Sequence, residues 1–424
     1  MKKVLKIDVH HLTRVEGHGN IHVRIEDGRL KEARWQVVET PRFFEVILKG
    51  KHYSQAGILT SRICGICSIG HCLASLRAIE RAFDVQIPTA AEKLRLLAKH
   101  GETLQSHYLH LFFLAAPDFL GLPSAIPLID IKPEVVETAA RLKGLANRLC
   151  DLVAGRTTHP VSLQPGGVTR MPAQKDLIQI KDDLERSLED INATAEIFRT
   201  FEIPDFARET EFVSLKAEAD YPWVGGNLIS SDGVERDEND YLSMTNEWVE
   251  ADQTTKWCKL SRDSFAVGAL ARVNNNFDRL HHYAREVAGL FGLKPVCHNP
   301  FMNNVAQLVE TVHCTHDALR LIGELLDMKD APTMVPVTPR AGDGIAAVEV
   351  PRGILYHHYS FDNDGRITKA NCIIPTTQNN KNIHDDMGAL AGQFADQGVS
   401  DEKLELLCEM LVRSYDPCIS CSVH

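Results

Sequence analysis

Hydrophobic and polar positions alternate near both ends of the chain and recur at helical spacing through much of the middle. Val4 to Val9 and Ile21 to Ile25 alternate, and Asp27-Gly28 marks a hairpin turn before the run Leu30 to Val38, so residues 1–40 are expected to be strands. A helical segment is expected from Cys72 to Phe83. Pro88-Thr89-Ala90-Ala91-Glu92 reads as a capping box opening a long helix. In it Leu94, Leu97, Ala98, Gly101 and Leu104 follow the helical period until Pro117-Asp118 ends it. Further helices are expected over Pro133 to Ala154, Lys175 to Thr200, Gly268 to Phe291 and Asn303 to Met328. Residues 204–257 lack that period and read as strands and loops. From Gly342 to Thr376 the pattern returns to strands, with Arg352 on the turn Pro351-Arg352-Gly353. Two short helices follow, the last with Ser400 as N-cap and Leu404, Leu407, Cys408 and Leu411 on one face.

These elements predict one large domain over 1–424, mainly α with β excursions (α+β). Its expected plan is a central bundle of long helices, an N-terminal β region at 1–40, an irregular or β excursion at 204–257 and a C-terminal β region at 342–376. No βαβ series and no glycine-rich phosphate loop is present.

Charge narrows the partners. A formal net charge of -11 over 424 residues argues against nucleic acid, which needs a basic face. The longest apolar run, near Leu109 to Ala116, is far short of a membrane span, and the N-terminus has no leader-like apolar core, so a cytoplasmic protein is expected. Eleven cysteines scattered through a long chain do not form a secreted disulfide framework. Cys72, Cys150, Cys258, Cys297, Cys314, Cys372 and Cys408 stand singly, mostly among apolar neighbours, and read as buried thiols.

The other four cysteines form two Cys-x-x-Cys pairs, Cys64 with Cys67 and Cys418 with Cys421. Together they can offer four thiolates to one centre: zinc, an iron–sulfur cluster or a thiolate-bound redox metal. A zinc ribbon keeps its pairs within roughly 15–20 residues. Here about 350 residues intervene, which favours a centre at the heart of the fold. His71 is close enough in sequence to bond a ligating sulfur. Glu16 lies in the turn Arg14-Val15-Glu16-Gly17-His18, and Glu45 follows two phenylalanines; each is by default an ordinary surface or helix-start carboxylate. His100, His107 and His110 share one helix at offsets that make no i, i+4 pair, and read as packing residues.

Arg14-x-Glu16-Gly17-His18, Arg62-Ile63-Cys64-Gly65-Ile66-Cys67-x-x-x-His71, Pro351-Arg352-Gly353 and Asp416-Pro417-Cys418-x-x-Cys421-x-x-His424 together resemble the large subunit of nickel–iron hydrogenases, end to end. The Pro41-Arg42-Phe43-Phe44-Glu45 run and the terminal motif look like the soluble, cytoplasmic, multi-subunit enzymes. The resemblance implies that fold and reversible heterolytic cleavage of hydrogen at a Ni-Fe(CN)2(CO) centre. Cys64, Cys67, Cys418 and Cys421 would hold nickel, with Cys67 and Cys421 bridging to iron. Cys418 would accept the proton, Glu16 would relay it, and Arg352 would overhang the site. His71, Asp118, Pro375 and Thr376 would form the surrounding layer. Glu45, the backbone oxygen of Cys372 and His424 would hold magnesium or another divalent cation; Cys372 stands where relatives often carry an aliphatic residue. No iron–sulfur cluster is expected in this chain. The implied partners are an iron–sulfur small subunit, flavin, NAD(P)-binding or ferredoxin-type subunits, nickel-insertion proteins and a maturation protease, with His424 then ending a processed form. The competing readings are an electron-transfer subunit whose four cysteines hold an iron–sulfur cluster, and a zinc-stabilised interaction protein.

Overall fold

The computed structural model describes residues 4–216 and 219–423. Strands β1 (Val4–Val9), β2 (Gly19–Glu26) and β3 (Arg29–Val37) form an antiparallel sheet in that order. Its hairpin turns at Asp27 and Gly28, both at positive φ, the conformation that matches strand twist. Helices α1 (Phe44–Leu48) and α2 (Tyr53–Thr60) lead to α3 (Ser68–Phe83). The long helices are α4 (Thr89–Leu109), α5 (Pro133–Ala154) and α6 (Gln174–Phe198). Strands β4 (Glu211–Lys216), β5 (Asn227–Ser230), β6 (Glu235–Arg236) and β7 (Phe265–Ala266) form a second sheet, ordered β6-β5-β4-β7. Helices α7 (Ala269–Asn276) and α8 (Asn303–Asp327) precede the antiparallel sheet β8 (Gly342–Val350), β9 (Gly353–Phe361) and β10 (Ile367–Ile373). Helices α9 (Pro375–Asp396), α10 (Asp401–Ser414) and α11 (Ile419–Ser422) close the described chain.

The mainly α architecture with small sheets is therefore as expected, and five local readings change. Helix α3 starts at Ser68 rather than Cys72, because Cys67 takes the N-cap. Pro88, in extended geometry, is the N-cap of α4, so Thr89 lies inside the helix and makes no capping bond. Pro117 does not end that helix. A π turn over His110–Ala115 widens the backbone and α-helix resumes at Ala116–Phe119, where a proline in the first turn needs no N–H partner. The expected helix from Gly268 to Phe291 breaks after Asn276, whose side chain bonds Ser214 Oγ, Leu215 O and Arg272 O. Of the two expected closing helices the first, α9, is long rather than short, at 22 residues, while the second, α10, has its Ser400 cap as read, with Oγ accepting from Lys403 N at 3.2 Å, and the four-residue α11 follows it.

Helix α4 runs through the interior, against α5 on one side and α8 on the other. Gly101 faces Cys150 on α5, where a Cβ would sit 2.8 Å from its sulfur, so the two helix backbones approach closely. The three histidines of this run point at α8 or its polar partners, which is their packing role: His100 meets Asp317, His107 meets Glu310 and His110 meets Gln307. Of the single cysteines, all are buried except Cys297, which is half-buried. Among the described residues no helix is long and apolar enough to cross a membrane.

Candidate metal centre

Both Cys-x-x-Cys pairs are carried at helix starts. Cys67 is the N-cap of α3 and Cys418 the N-cap of the four-residue α11. The fold brings the pairs together: all four sulfurs are buried and lie within 4.8 Å of one another. Cys64 Sγ is 3.5 Å from Cys418 Sγ, and it accepts from the backbone N–H groups of Ile66 (3.3 Å) and Cys67 (3.2 Å). The Cys64 thiol is held below its ordinary value by its bond with the Cys67 side chain, and Cys67 is pushed well above by the same bond and by burial. The sulfurs of Cys418 and Cys421 are joined as a disulfide in this structure; reduced, each offers a thiolate. Four convergent sulfurs suit a soft metal, and a nickel–iron centre fits that donor set.

Glu16 and the Cys418 segment are paired as a short parallel bridge, with Ile419 N donating to Glu16 O at 2.9 Å. The Glu16 side chain turns back to the same segment. Its Oε2 accepts from Ser420 N at 3.0 Å and lies 3.3 Å from Cys418 Sγ, while Ser420 Oγ donates to Oε1. Gly17 makes this approach possible. It has φ +87°, and a Cβ there would sit 2.7 Å from Ile419 Cβ and 2.8 Å from Ser420 N. Thr376 Oγ1 accepts from Cys418 N at 3.0 Å, and Pro375, before it, is the first residue of α9.

Arg352 lies buried on the turn between β8 and β9. One nitrogen donates to Asp416 Oδ1 at 2.7 Å, and another is 3.4 Å from Ser106 Oγ. Burial works against its charge, but Asp416, with Cys64, Cys67 and Glu16 beyond it, more than offsets that and raises the guanidinium above its usual value. Gly353 beside it has φ +131°, and a Cβ there would meet Val267 and the Gly268 backbone inside 3.0 Å.

The remaining sequence candidates sit further out. His71 is one helical turn from Cys67, its N bonding Cys67 O at 3.1 Å, and its Nδ1 is 3.3 Å from His357 Nε2. Asp118 is gripped by Arg413 at 2.7 and 2.9 Å and by Arg14, so it braces the segments leading to Cys418 and to Glu16. Glu45 Oε1 accepts from the backbone N–H of Cys372 at 2.7 Å, which brings those two together. Their expected companion His424 lies outside the described residues.

Three residues without an assigned role turn out to build the site. Arg42 donates 2.6 Å bonds to both Ile63 O and Ser420 O, clamping the two cysteine segments together. Glu102 on α4 accepts from Ile69 N (2.7 Å) and Gly70 N (3.0 Å), satisfying the start of α3 beside Cys67. Asp416 orients Arg352. Arg42 and Asp416 stand inside the motifs quoted above, which was a signal; Glu102 has no local one.

A buried four-sulfur centre closed by segments from opposite ends of a mainly helical chain defines the class. Residues 42–135 and 233–424 match the nickel-dependent hydrogenase family, and residues 6–40 match a HoxL-like family. The chain is 33% identical to sulfhydrogenase 2 subunit alpha of Pyrococcus furiosus, over 99% of this chain and 98% of that one. It is 29% identical to the NAD-reducing hydrogenase HoxS subunit beta of Cupriavidus necator, over 100% of this chain and 95% of that one. In three dimensions it is similar to a chain of an NAD+-reducing [NiFe]-hydrogenase in the H2-reduced state, with TM-score 0.90 and 28% identity over 99% of both chains. This chain belongs to the nickel-dependent hydrogenase family.

Proposed function

We propose that the chain is the catalytic subunit of a nickel–iron hydrogenase that cleaves hydrogen reversibly to protons and electrons. The observation that carries this is the convergence of Cys64, Cys67, Cys418 and Cys421, all buried, in a chain of that family. These four would hold the nickel, with Cys67 and Cys421 shared with iron. When bound, the centre supplies the Lewis acidity and redox capacity for splitting hydrogen heterolytically.

The chain's own groups handle the proton. Cys418 Sγ holds it first, and Glu16 Oε2, 3.3 Å away, takes it from there. The Ser420 N–H and hydroxyl fix the Glu16 carboxylate at that distance. Arg352 retains its own proton and contributes positive charge and hydrogen-bond donors beside the sulfurs. His71 supports the Cys67 side of the site.

Glu45 and Cys372, with His424, make up the divalent cation site of this reading, magnesium being the candidate. Electrons leave through an iron–sulfur partner subunit toward NAD(P) or a ferredoxin-type carrier. Relatives named as alpha and beta subunits support a multi-subunit assembly, and acceptors of that kind imply the cytoplasm.

Metal analysis and infrared spectroscopy test the reading. Equal amounts of nickel and iron, with bands for metal-bound carbon monoxide and cyanide, are expected; zinc alone, or iron without those bands, sinks it. Glu16→Gln is expected to keep the bands while slowing hydrogen–deuterium exchange by roughly 10²–10⁴-fold. Unchanged exchange removes Glu16 from the proton route.

A further inference from the structure

The three α4-run histidines differ in what they do against α8. His100 and His107 each face a carboxylate, Asp317 at 2.7 Å and Glu310 at 2.8 Å. His110 instead faces an amide, Gln307 Oε1, at 2.6 Å through Nδ1, and it uses its second nitrogen as well: Nε2 lies 2.8 Å from the backbone carbonyl of Arg413. His110 is also where the α-helical bonding gives way to the π turn of residues His110–Ala115. Such turns are rare inside helices and concentrate at functional positions.

Donor and acceptor counting fixes the direction of every bond in this chain of contacts. Arg352 donates to Asp416 Oδ1 at 2.7 Å, and Gln307 Nε2 donates to Asp416 Oδ2 at 3.1 Å. A flipped amide would set oxygen against carboxylate, so Nε2 belongs on Asp416 and Oε1 on His110. His110 Nδ1 therefore donates. The Arg413 carbonyl is an acceptor only, so Nε2 donates too. His110 (1%), Gln307 (0%), Asp416 (2%) and Arg352 (3%) are too enclosed for water to replace a lost bond.

We infer that His110 and Gln307 are positioning residues that set the orientation of Asp416 and, through it, of Arg352 beside the four sulfurs. The inference rests on reading those sulfurs as the metal centre. It assigns His110 a role beyond the helix packing of its two neighbours. The Asp416 carboxylate has one oxygen for each side: Oδ1 points the guanidinium at the site, and Oδ2 is anchored to α8 and, through His110, to the end of α10. Losing the anchor leaves Asp416 free to turn and carries Arg352 with it.

The test uses the metal-loaded enzyme with its partner subunit. Gln307→Leu is expected to retain nickel and iron, displace the cyanide bands in the infrared spectrum, and lower turnover by roughly 10- to 100-fold. Introduced into an Arg352→Lys background, the same change should cost little more, since Arg352 is the group it acts through. His110→Gln, which cannot donate in both directions, should show the same spectral displacement. Unmoved bands with wild-type turnover in Gln307→Leu overturn the inference, as does a loss of equal size in both backgrounds. Should Gln307→Leu fail to accumulate, Gln307→Met, of similar volume, carries the same comparison. If both variants lose the metals while Arg352→Lys keeps them, the role is structural and the inference falls. Wild-type enzyme lacking the diatomic bands overturns the reading of the site itself; wild-type bands with an unmoved variant spectrum overturn this inference alone.

Discussion

Two of the buried clusters of ionisable side chains, one around Arg272 and one around the four sulfurs, differ in how completely each satisfies itself. Behind the turn that bears Arg352 lies Arg272, whose five N–H donors all have acceptors: both oxygens of Glu310 (2.6 and 2.7 Å), Glu349 Oε2 (2.9 Å), Val350 O and Pro351 O. Tyr221 and His107 bond the same Glu310 oxygens, and Leu215 N takes the other oxygen of Glu349. The Glu310 carboxyl is held far below its usual range, burial being more than offset by Arg272 and His107. In the sulfur cluster, by contrast, four atoms of one kind converge within 4.8 Å, surrounded by groups that orient them. Completeness marks scaffolding, and convergent like donors mark a site. The Arg272 cluster also pins the Val350 and Pro351 carbonyls, two residues and one residue before Arg352, and so serves the sulfur site.

The comparison predicts different failures. Cys421→Ser should abolish nickel and iron content and all hydrogen activity while leaving the thermal midpoint of the metal-free protein near wild type; retained metal would show that the sulfur is not a ligand. Arg272→Met leaves two carboxylates buried without their cation, and is expected to cost about 3–5 kcal/mol in chemical denaturation. A wild-type denaturation midpoint with lost catalysis would reverse the assignment of roles. Gly17→Ala forces a side chain into a left-handed position against Ile419, with an expected cost of about 1–3 kcal/mol and slower proton exchange from a displaced Glu16.

The smallest effect expected is pH-dependent. Burial holds His313, on α8, down to about 4, below the value of about 6.5 for a ring in the unfolded chain. The unfolded chain therefore takes up the proton first, so stability declines as pH falls from about 6.5 to about 4 and then levels with respect to this group. The Glu310 contribution runs in the same direction at lower pH: it is intact above the ordinary carboxylate range near about 4.3 and is lost as pH falls through the depressed native value. Thermal midpoints at pH 7 and 5 should fall less between the two in His313→Gln than in wild type. An equal fall would remove His313 as the source.

Local chemistry was legible in the sequence and long-range pairing was not. The Asp27-Gly28 hairpin, the Ser400 cap and the two Cys-x-x-Cys pairs each announce themselves within a few residues. The break after Asn276 depends on bonds to Ser214 and Leu215 across the fold, and Pro117 survives in a helical run because of a π turn before it. At the site, the cysteines and Glu16 lay in motifs. Glu102 and Gln307, by contrast, look like ordinary helix-surface residues until α4 and α8 are packed, when one meets the start of α3 and the other meets Asp416.

The 354-residue separation between Cys64 and Cys418 also has a temporal meaning. At typical synthesis rates the ribosome needs on the order of tens of seconds to cover that span. Throughout that interval the first thiol pair exists without the second, and the Arg42 clamp has nothing to hold on its far side. Newborn chains therefore pass through a stage in which half the donor set is made and accessible. That interval opens a window for delivering metal, and equally for misloading or oxidising the waiting sulfurs.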